Sequence, residues 1–253
     1  PSFAEWYYGP QNRFMTSLTT SITKEVGAFN AASIILAYQN LDEDRVNRRF
    51  KDDWRNYRFE DVDVFSLNAD FAKRFDSIHS ISYGLEGTHN IVASQANSTN
   101  IDTGEVTANQ TRYPDGGSAM STFSAYFAYD RKISEHSLIN SGVRYSRSVL
   151  NSKFIDTSFT QLPFNEINFN GGALSGSLGY VIMPDPTSKV NFILSTGYRS
   201  PNVDDYGKVF EKDGLVVVPN NQLKPEYAYN GEISFSKSFL TKVKEVTSED
   251  QKA

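Results

Sequence analysis

Residues 119–131 read A-M-S-T-F-S-A-Y-F-A-Y-D-R. Phe123, Ala125, Phe127 and Tyr129 share one parity; Thr122, Ser124, Tyr126 and Asp130 share the other. Side chains alternate faces along a β-strand, so this stretch makes one apolar wall and one polar wall. Such a strand suits a sheet with lipid on one side and a polar lumen on the other.

The same period of two recurs outward from this stretch. In residues 174–182, Leu174, Leu178, Tyr180 and Ile182 oppose Ser175, Ser177 and Gly179. In residues 190–199, Val190, Phe192, Leu194 and Tyr198 oppose Asn191, Ser195, Gly197 and Arg199, with Ile193 out of pattern. Phe65, Leu67, Ala69 and Phe71 oppose Ser66, Asn68 and Asp70. Ile81, Tyr83 and Leu85 oppose Ser82, Gly84 and Glu86, and Tyr229, Ile233, Phe235 and Phe239 oppose Asn230, Glu232, Ser234 and Ser236. Residues 14–23, 29–40 and 138–149 fit more loosely. The total is about nine strands, each near the 9–11 residues that cross a bilayer. The fold class expected is all-β: an antiparallel transmembrane β-barrel segment.

The connections alternate. Residues 24–28, 73–77, 132–136 and 183–188 are short and polar, whereas 41–58, 91–118, 150–170 and 200–226 are long. Outer-membrane barrels sort their loops in this way, with short periplasmic turns and longer extracellular loops.

Composition agrees and narrows the field. The 253 residues carry a formal charge of -5 and a mean hydropathy of -0.46. No stretch approaches the apolar length of a membrane helix, but a barrel exposes only alternate residues to lipid and reads as hydrophilic. Many of the 14 Tyr and 18 Phe sit near predicted strand ends. Trp6, Tyr7, Tyr8, Tyr129, Tyr180, Tyr198 and Tyr229 read either as interfacial girdles or as ordinary β enrichment in aromatics. The absence of Cys excludes disulfides, thiolate metal sites and a cysteine nucleophile. No G-x-S-x-G elbow, H-E-x-x-H pair or phosphate loop occurs, so no enzyme is expected.

The most specific stretch is S-T-G-Y-R-S-P-N-V-D-D-Y-G-K-V-F-E from Ser195, followed by V-P-N-N-Q-L-K-P-E-Y-A-Y-N-G-E-I ending at Ile233. It resembles the TonB-dependent outer-membrane receptor family. There a strand ends in a Phe/Tyr-Arg-Ala/Ser-Pro-Asn box, and Asn-Pro-x-Leu-x-Pro-Glu leads into the next strand. Tyr198, Arg199, Ser200, Pro201 and Asn202 match the first box. Asn220, Leu223, Lys224, Pro225 and Glu226 match the second, with Asn221 where proline is usual. The segments W-Y-Y-G-P-Q from Trp6, A-Y-Q from Ala37 and R-Y-P-D-G-G from Arg112 are similar to members from Bacteroidetes-type bacteria. The resemblance runs to about Phe239.

The resemblance implies an active importer of a Gram-negative outer membrane, with a barrel of about 22 strands closed by a plug. It binds a scarce nutrient outside and is driven by the TonB–ExbB–ExbD machinery acting through the plug. Residues 1–240 are then expected to be part of the barrel wall and 241–253 a polar tail or periplasmic turn. Neither plug nor TonB-binding segment is recognised, so the chain is expected to be a piece of a longer protein. The ligand expected is a ferric siderophore or cobalamin-like complex, with a glycan oligomer as alternative; no resident cofactor, metal or nucleic acid is expected.

The boxes read first as architecture. Pro201 and Pro225 remove backbone donors and end strand pairing; Arg199 could pair with Glu226 or Glu232. Arg112, Tyr113, Arg199 and Tyr206 are the candidate ligand contacts. Haem receptors of this family carry a His between the boxes, whereas this interval has only Tyr206 of a haem-ligand type. His79, His89 and His136 lie elsewhere, and only His89 on the expected outer side. Acidic runs at Asp42–Asp44, Asp52/Asp53, Asp61/Asp63 and Asp204/Asp205 read as solvated loop charge or as hard-cation ligands; Asn100-Ile-Asp102-Thr-Gly104 is only a fragment of an EF-hand. Arg45, Arg48, Arg49, Lys51, Arg55 and Arg58 suit an anionic ligand or ion pairs with neighbouring Asp residues.

Two other classes compete. A soluble β-sandwich or glycan-binding module would need a second sheet over the apolar walls, and such long structureless loops would be unusual in it. A passive channel would lack both boxes.

Overall fold

A computed structural model describes residues 3–156, 158, 159, 162, 164–207, 210–212, 215–217, 220 and 222–239. The expected tail, 241–253, lies outside these. The elements are β1 (Phe3–Thr23), β2 (Ala31–Arg49), β3 (Trp54–Arg74), β4 (His79–Asn100), β5 (Val106–Ala108), β6 (Ser118–Ser134), β7 (Ser137–Lys153), β8 (Glu166–Asp185), β9 (Ser188–Arg199), α1 (Val203–Gly207), β10 (Phe210–Lys212), β11 (Leu215–Val217) and β12 (Glu226–Lys237). One antiparallel sheet runs β1-β2-β3-β4-β6-β7-β8-β9-β12, with β5 on β4; β10 and β11 form a separate hairpin. The nine long strands are those the alternation predicts. Among the described residues β1 and β12 each pair on one side only, so the sheet is open.

Register lines the apolar residues into one wall. Leu18 faces Leu36 and Leu36 faces Leu67. Tyr83 lies between Phe71 and Phe127, and Leu178 faces Leu194. Phe192 lies between Tyr180 and Ile233. Leu174 is 60%, Leu194 64% and Ile233 75% exposed. An uncovered apolar face of this extent marks a surface built for an apolar partner, and among the described residues no second sheet covers it. This is the geometry of a barrel wall, not of a sandwich.

The opposite face is polar at mid-strand. Tyr126 donates to Asp70 Oδ1 at 2.6 Å, Arg144 pairs with Glu86 and the Ser124 and Ser146 hydroxyls lie 2.7 Å apart. A Cβ on Gly84 would meet Tyr126 Cε1 at 2.5 Å and the Ala69 carbonyl at 2.7 Å, so glycine lets the Tyr126 ring lie flat on the strand.

The strands outrun the expected span. β2 and β3 stay paired out to Asn47 and Asn56, so the loop expected over 41–58 is a hairpin closed by the turn 50–53. Likewise β4 continues through Asn100, leaving 101–117 as connection. The alternation fades there because the ladder needs backbone bonds and not an apolar face. Like charges even face each other: Asp42 opposite Asp61, Glu43 opposite Glu60, Arg45 opposite Arg58. Such pairs are unfavourable alone, and other contacts offset them. Arg45 pairs with Glu43, while Arg48 and Arg55 both pair with Glu5 at 3.2 and 2.6 Å. Arg45, Arg48 and Arg55 therefore find glutamates rather than the neighbouring aspartate carboxylates, and Arg58 donates to the Gln110 carbonyl.

The short turns, 24–30, 75–78, 135–136 and 186–187, all fall at one end. At the other end the long connections fold onto the polar face. There Val92, Leu150, Ile167, Val203 and Tyr206 form a buried cluster joined by Tyr113, Phe169 and Leu223. This core fixes the loops that build the candidate site.

Candidate functional site

The first box leaves β9 and turns into α1. Pro201 is buried and has no amide to offer the ladder. Asn202 then caps the helix: its Oδ1 accepts the Asp205 amide at 3.0 Å, and Asp205 Oδ2 accepts the Asn202 amide at 3.0 Å. This reciprocal pair is a capping box with Asp in place of Glu. The box asparagine is thus a helix cap.

Asp205 also binds Arg199. Arg199 Nη1 lies 3.6 Å from Glu226 Oε1, and Glu226 is its direct partner on the β9–β12 ladder. The last strand residue of the first box and the glutamate of the second are joined, with α1 clamped to both. Tyr198 and Tyr227 repeat the pairing one step on, their rings 6.4 Å apart.

Tyr206 locks the other side. Its ring, 1% exposed, packs 5.4 Å from Phe169, and its hydroxyl donates to the Leu223 carbonyl at 2.8 Å. Asn220 Oδ1 accepts the Gln222 amide at 2.9 Å, an Asx turn ahead of Leu223,. Pro225 is half-buried just before β12.

Asp204 reaches the segment carrying R-Y-P-D-G-G. It accepts from Arg112 Nη2 at 3.3 Å and from the Tyr113 hydroxyl at 2.9 Å, and the Arg112 guanidinium lies 5.1 Å over the Tyr113 ring. Burial pushes the Tyr113 phenol well above its ordinary pKa, and the bond to Asp204 adds to the shift,. All four candidate contacts therefore gather around one helical turn. Arg112, Tyr113 and Arg199 approach it through charge and hydrogen bonds; Tyr206 belongs to it and faces the core.

Two clefts flank this centre. One of about 460 Å³ is lined by Gln11, Arg13, Glu43, Arg45, Glu60 and Tyr113. The other, about 340 Å³, is lined by Gln110, Arg112, Tyr113, Asp115 and Phe154 among others. Tyr113 is the wall they share. A broad depression of about 620 Å³ between Leu18, Leu36, Tyr38, Phe65, Leu67 and His89 lies on the apolar wall and suits acyl chains rather than a polar ligand.

Reading residues singly missed Asp204 and Asp205, which look like solvated loop charge but organise the site. Their place one and two residues before a buried tyrosine was the available signal. The Asn100–Gly104 run is a turn: Asn100 Oδ1 accepts the Asp102 and Thr103 amides, both at 3.0 Å, and Gly104 has φ 75°. Among the described residues no group of three or more His, Asp or Glu is placed to hold a metal ion. His79 and His89 bond Tyr129 and Ser121.

An open antiparallel wall, polar on one side and apolar on the other, with long loops folded onto the polar side, defines a segment of a receptor-type β-barrel. The family model for the TonB dependent receptor-like β-barrel matches residues 2–243, and the chain belongs to that family. Among solved structures it is similar to the copper transporter OprC, at TM-score 0.77 and 12% identity over 94% of this chain and 37% of that one. The ferric yersiniabactin uptake receptor FyuA of Yersinia pestis aligns at TM-score 0.63 and 15% identity over 94% and 35%. The siderophore receptor PiuA of Acinetobacter baumannii aligns at 0.67 and 12% over 91% and 38%. The chain thus spans little more than a third of these receptors. A search of curated proteins found no match.

Proposed function

We propose that this chain forms part of the wall of an active importer in a Gram-negative outer membrane, of Bacteroidetes type. The full protein captures a scarce metal complex at its outer end, a ferric siderophore first and a cobalamin-like complex second. It releases the cargo inward with energy from TonB–ExbB–ExbD. The observation that carries this reading is the clasp of Arg199, Asp205 and Glu226, which ties both family boxes to one helical turn on the polar face. Arg112 and Tyr113, beside the two clefts, are the ligand contacts this geometry favours. The interval between the boxes offers no histidine for haem iron.

The test is uptake of radiolabelled iron by cells that lack their own ferric receptors and express the full-length protein. Accumulation from a ferric trihydroxamate, lost on deleting TonB, is expected. Accumulation that survives that deletion would mark a passive pore. Binding of neutral oligosaccharides instead of ferric complexes would turn the reading to the glycan alternative.

A further inference from the structure

The cleft of about 460 Å³ contains a group that the clasp does not use. Glu60 on β3 is 6% exposed; among the described residues no guanidinium, ammonium or amide bonds its carboxylate, and the Ser94 hydroxyl alone lies near enough to donate to it. Across the ladder it faces Glu43 on one side and Ser94 on the other. Glu43 is engaged by Arg45 and by Gln11 at 3.4 Å. The Ser94 hydroxyl accepts the Tyr113 amide at 3.3 Å. Arg45 and Arg58 act on Glu60 through charge alone, and Arg58 Nε donates to the Gln110 carbonyl at 3.3 Å. A carboxylate shut away with a single neutral donor has acceptor capacity to spare and gains strongly when a charged donor arrives.

Residues 109–113 lie over Glu60 and are held there at discrete points. β5 ends at Ala108; the run that follows keeps a backbone bond from the Asn109 amide to the Ala96 carbonyl at 3.3 Å and is further tied by side chains. Asn109 Nδ2 bonds Asn56 at 2.8 Å, Arg58 bonds the Gln110 carbonyl, and Arg112 and Tyr113 bond Asp204. Two atoms of Arg112, Nε and Nη1, are themselves buried and unpartnered. The closed arrangement therefore leaves an acid with one neutral donor and part of a guanidinium unpartnered, while Tyr113 lines both clefts.

We propose that residues 109–113 form a strap that lifts from this cleft, and that Glu60 then accepts a protonated amine carried by the imported ligand. A carboxylate only accepts, so its occupant must donate, and an ammonium makes the strongest such bond. The proposal rests on the importer reading and adds a ligand class to it.

The test uses the full-length receptor and two probes: a linear ferric trihydroxamate that ends in a free ammonium, and the same complex with that nitrogen acetylated. The unaltered receptor should bind the ammonium form at least about tenfold more tightly. The near-isosteric Glu60→Gln should shrink that difference to under about threefold. Equal binding of the two probes by the unaltered receptor overturns the proposal and leaves the importer intact. Preference that persists in Glu60→Gln overturns the assignment to Glu60. Binding of neither probe overturns the ferric-complex reading and this proposal with it.

Discussion

Glu226 stands directly across the β9–β12 ladder from Arg199, and the guanidinium it faces is held at the same time by Asp205 on α1. Two boxes separated by a long connection thus meet at one cation. The arginine side chain is 52% and the glutamate 74% exposed, against 23% for Asp205, so the contact to α1 is the better shielded. Exposed pairs contribute about 0.2–1 kcal/mol, whereas loss of a helix cap costs about 1 kcal/mol. Asp205 supplies a share of both. Asp205→Ala should therefore loosen residues 200–225 more than Glu226→Ala. Cleavage of that loop by a protease, in the folded full-length protein, should be faster in the first variant. Equal rates would contradict the clasp.

Tyr206 separates packing from hydrogen bonding. Tyr206→Phe removes only the bond to the Leu223 carbonyl and should cost about 1 kcal/mol. Tyr206→Ala empties the centre of the cluster and should cost about 3–5 kcal/mol. Denaturant midpoints in detergent check both; similar losses would mean that the ring packs less closely than described.

Tyr113 sets a pH dependence. A phenol raised above its unfolded value of about 10 is favoured neutral in the folded state. Its contribution is complete below that pH and is lost as pH rises beyond it. Asp204→Asn should lower the Tyr113 pKa while burial, the larger cause, keeps it above that of a free tyrosine. Alkaline absorbance titration against a Tyr113→Phe reference isolates the group. A Tyr113 that titrates with the exposed tyrosines would contradict the burial.

Two glycines of β4 give opposite expectations. A Cβ at Gly84 would collide with Tyr126 and with the Ala69 backbone, whereas nothing lies within 4 Å of one at Gly87. Gly84→Ala should destabilise by about 1–3 kcal/mol. Gly87→Ala should be neutral or stabilising by up to about 1 kcal/mol. Thermal unfolding of the two variants side by side decides; the reverse order would mean that the faces are assigned wrongly.

The strands were legible because one parity carries Leu36, Leu67, Phe127, Leu174 and Leu194 and the other carries serine, glycine and charge. The pattern ends where lipid would end. Beyond it, Arg45 opposite Arg58 and Glu43 opposite Glu60 look like a loop when read along the chain, although the backbone stays paired. The boxes were legible from their resemblance to the family, and of the two glutamates expected as partners of Arg199, Glu226 and Glu232, it is Glu226 that pairs. The bond from Tyr113 to Asp204 was not legible, because it joins residues 91 positions apart and depends on loops folding onto the same core. Glu60 was hidden for a like reason: its burial comes from the segment around Tyr113, not from its own strand.

The chain contains no cysteine, so single cysteines placed in it report on each face once any outside these 253 residues have been replaced. Introduced singly at 174, 175, 177, 178, 194 and 195 of the full-length protein, each would carry a fluorophore in lipid vesicles containing a nitroxide-labelled lipid. A barrel wall predicts strong quenching at 174, 178 and 194 and weak quenching at 175, 177 and 195. Uniform quenching, or none at the first three positions, would contradict the assignment of this sheet to a membrane.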